Sequence, residues 1–312
     1  MNRRKFVSSL SLLALNSAYS LPSALAAHLE VETLGSPWLK NIDHYAIRSH
    51  EVGDVIAVGV KRSPVWLTEA LQIPDDQPLD LVYVLDGGGV LGLVSAIADA
   101  QLVSGLKPGF PPLLLVGLDY PEGRPNARTR DYTHSDLAVP LSAEKQPPED
   151  TIGGADNFLR FLENELDPML RSRYNISDRP AGLLGDSYGG TFAFHALRRQ
   201  SKIFDRFFLG SPGLFNTKVN YLDQFEELLQ GELVNDTKLY LSFGSLEMNG
   251  GLKTYEDMGT NFNKLVSILR RSSNRQLSFR SKVYNDHTHV TVVAPAFNDA
   301  LLYLYGPHQP RD

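Results

Sequence analysis

The sequence predicts an α/β protein, with a mostly parallel central sheet and helices on both faces. Two observations carry that expectation. Short, largely apolar runs recur at Leu81 to Leu85, Pro112 to Leu118, Ala181 to Leu184, Leu239 to Phe243 and Leu277 to Tyr284. Runs of this length suit strands buried on both faces of a sheet. Segments with helical spacing lie between them, and from Leu81 onward the two kinds of segment alternate.

Val52 to Val60 reads as an earlier strand in a hairpin region. Val90 to Gln101 reads as the helix after the Leu81 strand. Gly154 to Arg171 places Phe158, Leu159, Leu162 and Leu166 on one helical face, with acids and Arg160 elsewhere. Gly189 to Arg199, Tyr255 to Arg271 and Pro295 to Leu304 supply the later helices. The segment from Asp119 to Pro148 is polar, rich in Pro, Arg, Asp and Thr, and lacks periodicity. A loop of that length in a compact domain is more often functional than decorative.

Met1 to Ala26 reads as an export signal. Arg3, Arg4 and Lys5 open it, an apolar or small stretch runs from Phe6 to Leu21, and Ala24-Leu25-Ala26 offers a cleavage site. Arg3-Arg4-Lys5-Phe6-Val7 also resembles a twin-arginine signal. The stretch is too short and too polar to stay as a membrane span, so the expected product is a periplasmic or secreted protein without stable membrane insertion. Residues 27–312 are then one catalytic domain. No repeat or low-complexity block divides them.

Apolar residues make up 42% of the 312 and charged residues 21%, ordinary proportions for a globular protein. The net charge of −6 gives no electrostatic footprint for nucleic acid. Cysteine is absent, which excludes disulfides, a thiol nucleophile, thiolate metal sites and a lipoprotein anchor.

Gly185-Asp186-Ser187-Tyr188-Gly189 is the most informative motif. It falls between a short strand and a helical pattern, where a nucleophile elbow belongs. Such a turn lifts the serine hydroxyl above the sheet edge, near a helix N-terminus that favours developing negative charge. A bare match would be a weak signal, because Gly-x-Ser-x-Gly also arises in ordinary turns. The setting is what makes Ser187 the candidate nucleophile.

In this fold the acid and then the histidine follow the serine along the chain. His28, His44, His50 and His134 precede Ser187, His195 lies in the helix after it, and His308 is in the tail. His287 and His289 remain, in the loop after the last strand. A metal site built from Asp286, His287 and His289 matches no familiar spacing. The acid is expected at a strand end. Glu247 lies just beyond Leu239 to Phe243, with Glu256, Asp257 and Asp286 as substitutes. Backbone N–H groups for an oxyanion hole are expected from Tyr188 and from Gly87 or Gly88, in the triglycine run that follows Asp86. That run fits no phosphate-binding pattern.

Taken in order, further stretches resemble one family. They are Val82 to Gly87, Val116 to Tyr120, Arg128 to Thr133, Gly153 to Ala155 with Phe158-Leu159, Gly185 to Gly190, Gly210 to Pro212, Gly244 to Glu247, and His289 to Val292 before Pro295. Together they look like the "putative esterase" family of α/β hydrolases, which includes siderophore esterases, S-formylglutathione hydrolases and mycolyltransferases. The resemblance covers nearly everything after about residue 45 and implies the α/β-hydrolase fold. It also implies that the base is His289, ahead of Thr291 and Val292, and not His287. Arg128 and Arg130 resemble a family segment at the active-site mouth, where an arginine holds an anionic or catechol group; a structural Arg–Asp pair would give the same pattern.

The expected activity is therefore hydrolysis of a small-molecule ester through an acyl-enzyme, with no metal and no organic cofactor. Transfer of the acyl group to an alcohol, or a non-catalytic binding role on the same fold, are the other readings.

Overall fold

The computed structural model describes residues 42–62, 76–103, 110–123, 127–134, 152–214 and 220–307, all of them within one unit, Leu39–Asp312. The expected export signal, and most of the expected loop from 119 to 148, lie outside the described residues.

Eight strands form one sheet in the order β1-β2-β4-β3-β5-β6-β7-β8. They are β1 (Ile42–Arg48), β2 (Val55–Arg62), β3 (Asp80–Leu85), β4 (Leu113–Asp119), β5 (Ala181–Asp186), β6 (Phe204–Gly210), β7 (Thr237–Gly244) and β8 (Leu277–Tyr284). β2 is antiparallel to β1 and to β4, and every pairing from β4 to β8 is parallel. This strand order and mostly parallel sense are those of the α/β-hydrolase fold. In such a sheet a ligand meets the carboxyl ends of the strands.

Side-chain alternation divides the core into two layers. Leu81, Tyr83, Leu183, Phe207, Leu209, Leu239 and Leu241 face one side. There they meet α3 (Ala155–Arg160), α4 (Asp167–Arg173), α5 (Tyr188–Arg198), α6 (Tyr221–Leu228) and α8 (Lys253–Arg271). Val82, Val84, Leu184, Phe208 and Tyr240 face the other side, against α1 (Gly87–Val103) and α9 (Val293–Tyr305). All six residues of β3 are buried, so its uninterrupted apolar run reflects cover on both faces. A buried Leu or Phe contributes about 1.5–3 kcal/mol through area removed from water.

Two short helices complete the described elements, α2 (Ala127–Tyr132) and α7 (Ser245–Asn249). α3 and α4 are joined by a π-helical turn, Phe161–Leu166, so the single helix expected over Gly154 to Arg171 is one rod with a wider middle. Five further elements depart from expectation, among them the short helices α6 and α7, which lie outside the helices expected from the sequence. β1 and β6 are strands that the apolar-run criterion does not find, and α2 sits within the segment expected to be a loop.

Candidate active site

β5 ends at Asp186, and Ser187 turns the chain into α5 with φ 57° and ψ −122°. A non-glycine residue there is strained by about 1–3 kcal/mol, and surrounding structure must hold it. The Ser187 N–H donates to the Gly210 carbonyl at 2.8 Å, and the Ser187 carbonyl accepts from Thr191 N–H at 3.0 Å and Gly213 N–H at 3.3 Å. The turn also needs close backbone approach. A methyl group on Gly185 would lie 2.3 Å from the carbonyl carbon and 2.4 Å from the carbonyl oxygen of Gly189.

Glu247 occupies α7, immediately after β7, and is 2% exposed. Its Oε1 accepts from Gly244 N–H at 2.8 Å and from the Ser211 hydroxyl at 2.6 Å. Its Oε2 accepts from His289 Nδ1–H at 2.6 Å. Fixing Nδ1 in this way leaves Nε2 as the nitrogen that can take a proton. The Tyr255 ring stacks on the imidazole at a centroid distance of 4.7 Å.

Burial pulls the His289 imidazolium down, but the Glu247 hydrogen bond and the charges of Asp186 and Glu247 outweigh it, against opposition from Arg128. The net shift is upward. Next to the serine, burial pushes the Asp186 carboxyl up to about 7, opposed by His289 and Arg128 and reinforced by Glu247 and Asp86.

The neighbouring histidine turns elsewhere. His287 Nδ1–H donates to the Thr291 carbonyl at 2.9 Å, and the His287 carbonyl accepts from Leu246 N–H at 3.0 Å. Asp257 pairs with exposed Lys253, and Asp286 is exposed. Of the carboxylates considered from the sequence, Glu247 is the one hydrogen-bonded to His289.

At the end of β3, Gly87 packs on β4: a methyl group on it would lie 2.6 Å from Gly117 Cα. Gly88 N–H donates to Asp119 Oδ2 at 2.7 Å, so that donor is already engaged. Asp86, at φ 58°, receives the Arg128 fork at both carboxylate oxygens, with Nη2 to Oδ2 at 2.8 Å. The same guanidinium lies 5.6 Å from the Tyr188 ring centroid and 5.4 Å from that of Tyr132. Arg130 points to other partners. Its fork grips buried Asp131 at 2.6 and 2.9 Å, and Nη1 reaches Asp54 at 3.2 Å. The structural Arg–Asp pair thus describes Arg130, whereas Arg128 makes such a pair while also bordering the elbow.

Three residues of the site were not singled out from the sequence as site residues. Ser211 and Tyr255 contact Glu247 and His289 from distant points of the chain, and Asp86 holds Arg128. Ser211 and Asp86 carried a signal, within the Gly210 to Pro212 and Val82 to Gly87 stretches, and Tyr255 carried none. Among the described residues no group of three or more His, Cys, Asp or Glu is placed to hold a metal ion. His134 and His195, which precede and follow the serine, stack on each other at 5.8 Å, with His195 Nε2 3.0 Å from Asp156.

An eight-stranded sheet of this order, an elbow serine and a carboxylate–histidine pair at the strand ends define the α/β-hydrolase class. Comparison with known proteins narrows the class. The family model described as "Putative esterase" matches residues 67–303, and the chain belongs to that family of carboxylic ester hydrolases. The ferri-bacillibactin esterase BesA of Bacillus subtilis is 24% identical over 257 residues, covering 79% of this chain and 86% of that protein. A siderophore enterobactin esterase of Emericella nidulans is 28% identical over 248 residues, covering 72% of this chain and 81% of that protein. Among solved structures, the siderophore hydrolase EstA of Aspergillus nidulans shares the fold with a TM-score of 0.75 at 23% identity, over 89% of this chain and 98% of EstA.

Proposed function

We propose that this protein is an exported serine ester hydrolase that works through an acyl-enzyme on siderophore-type or other small acyl esters. The observation that carries the reading is the 2.6 Å pair of His289 with buried Glu247 at the same sheet edge as the strained Ser187 turn. The names of BesA and the Emericella relative supply the substrate class.

In this reading Ser187 Oγ attacks the ester carbonyl while His289 Nε2 accepts its proton. Glu247 keeps Nδ1 protonated and stabilises the imidazolium. The tetrahedral oxygen accepts from Tyr188 N–H, at the start of α5, and from Gly87 N–H; Gly88 N–H is engaged by Asp119. Collapse expels the alcohol, which takes the proton from His289. Water then enters by the reverse sequence and releases the acid. Arg128 is kept as the substrate-facing arginine, and Arg130 serves to pin α2. The segment Met1 to Ala26 is assigned to export.

Three measurements test the proposal. A fluorophosphonate probe is expected to label the purified protein, and Ser187→Ala to abolish labelling; equal labelling of both would sink the serine assignment. His289→Ala is expected to remove ester turnover and His287→Ala to leave it within a few-fold; the opposite pattern reverses the assignment of the base. A hydrolysis panel of trilactone siderophores, simple acyl esters and thioesters identifies the substrate class, with trilactones expected to give the highest kcat/KM.

A further inference from the structure

Asp186 fills the position between Gly185 and Ser187, and the reaction scheme leaves it without a task. Its carboxyl is built into the scaffold of the site. A methyl group on Gly210, at the end of β6, would lie 2.4 Å from Asp186 Oδ1 and 3.2 Å from Cγ, so the glycine makes the room this side chain occupies. The Gly210 carbonyl holds Ser187 N–H at 2.8 Å, and the next residue, Ser211, holds Glu247. The carboxyl thus packs on the residue that holds the Ser187 turn and directly precedes the one that holds Glu247.

Asp186 Oδ1 is buried and has no hydrogen-bond partner among the described residues. Leaving such an oxygen unpaired is costly, and native proteins keep few of them. Four charged groups from four elements act on it electrostatically: His289 from the loop after β8, Glu247 from α7, Asp86 from the turn after β3 and Arg128 from α2. The influence is mutual, because the Asp186 charge raises the proton affinity of His289.

We propose that Asp186 is a positioning residue acting through His289: its charge sets how readily the imidazole accepts and keeps a proton. The inference rests on the proposed role of His289 as base. As pH falls through about 7, Asp186 takes up a proton and loses its charge. Its upward pull on His289 then ends, and the imidazole stays neutral to lower pH than it would beside a fixed negative charge. Two groups coupled in this way titrate as a pair and spread their protonation over a wider range than one site would.

The test needs no turnover. The His289 C2–H resonance is followed by NMR against pH in the full chain carrying Ser187→Ala, with and without Asp186→Asn. Asparagine keeps the shape and removes the charge, so the His289 midpoint is expected to move down. At the midpoint of the aspartate form, neutral His289 in the asparagine form should exceed charged His289 by about threefold. An unchanged midpoint overturns the proposal, even if activity falls. In the enzyme with Ser187 intact, the acid limb of kcat/KM should move the same way with KM unchanged; an acid limb that stays fixed also overturns it. If the asparagine form fails to fold, the Ser187→Ala protein alone decides. A His289 curve broader than a one-proton step supports the coupling, and a clean one-proton step refutes it. Failure of the hydrolase reading would appear separately, as probe labelling that survives Ser187→Ala.

Discussion

Gly185→Ala isolates the feature on which the elbow depends. The added methyl carbon would lie 2.3 Å from the carbonyl carbon, 2.4 Å from the oxygen and 2.9 Å from the Cα of Gly189. All three are backbone atoms, so no side chain can rotate away. Restoring an ordinary separation of 3.4 Å requires β5 and the first turn of α5 to part by about 1 Å. Overpacking on that scale costs roughly 1–3 kcal/mol. The movement falls between the strand and Ser187 itself. A displacement of about 1 Å at reacting atoms lowers turnover by about 100-fold.

Urea unfolding reads the first quantity, and kcat on a soluble acyl ester reads the second. Gly231→Ala is the control, because a methyl group there would meet only Leu228 O at 3.6 Å, an ordinary contact. That change is expected to move stability by less than about 0.5 kcal/mol and to leave kcat alone. If Gly185→Ala unfolds at the wild-type urea concentration and turns over at the wild-type rate, the backbone approach is not what holds the serine.

Two further outcomes are expected. Glu247→Gln keeps the shape and can still accept from Gly244 N–H and Ser211, but it removes the charge that helps raise His289. By analogy with other triads kcat should fall by roughly 10²–10⁴, and the acid limb of the pH–rate profile should move to lower pH, because the histidine loses a group that favours its charged form. Arg128→Lys retains the charge and loses the two-pronged grip on Asp86. If that grip orients the Gly87 turn and Tyr188 together, kcat should drop by about 10-fold with KM changed less, read by steady-state kinetics on one ester.

Much of the sheet was legible because burial on both faces leaves a plain trace. β3 and β4 are apolar over nearly their whole length, and β7 is apolar and buried from Leu239 to Leu241. β6 was not, and its physics explains why. Asp205 and Arg206 interrupt the apolar run near its start, and they do so because they pair with each other at 2.6 Å. β1 has a face open to solvent, so no continuous run marks it. Helix α2 hid in a polar segment because its stabilising partners are distant in sequence: Arg128 reaches Asp86, and Arg130 reaches Asp54. Spacing rules see contacts within an element. They do not see an arginine that crosses to another strand end, or a tyrosine that stacks on a histidine 34 positions on, as Tyr255 does on His289.

That blindness to distant contacts matters most for charge. Asp86, Asp186 and Glu247 gather at the strand ends that meet an ester whose carbonyl oxygen becomes negative. Left unscreened, they would oppose the reaction. Each is answered by a different device. The Asp86 charge is held by the Arg128 fork. The Glu247 charge is held by His289, Ser211 and Gly244, and in the proposed scheme the imidazolium would match it in the step that creates the oxyanion. Asp186 Oδ1 has no hydrogen-bond partner among the described residues, and burial instead pushes the carboxyl up to about 7. Its charge therefore varies across the neutral range, and through it pH reaches the histidine.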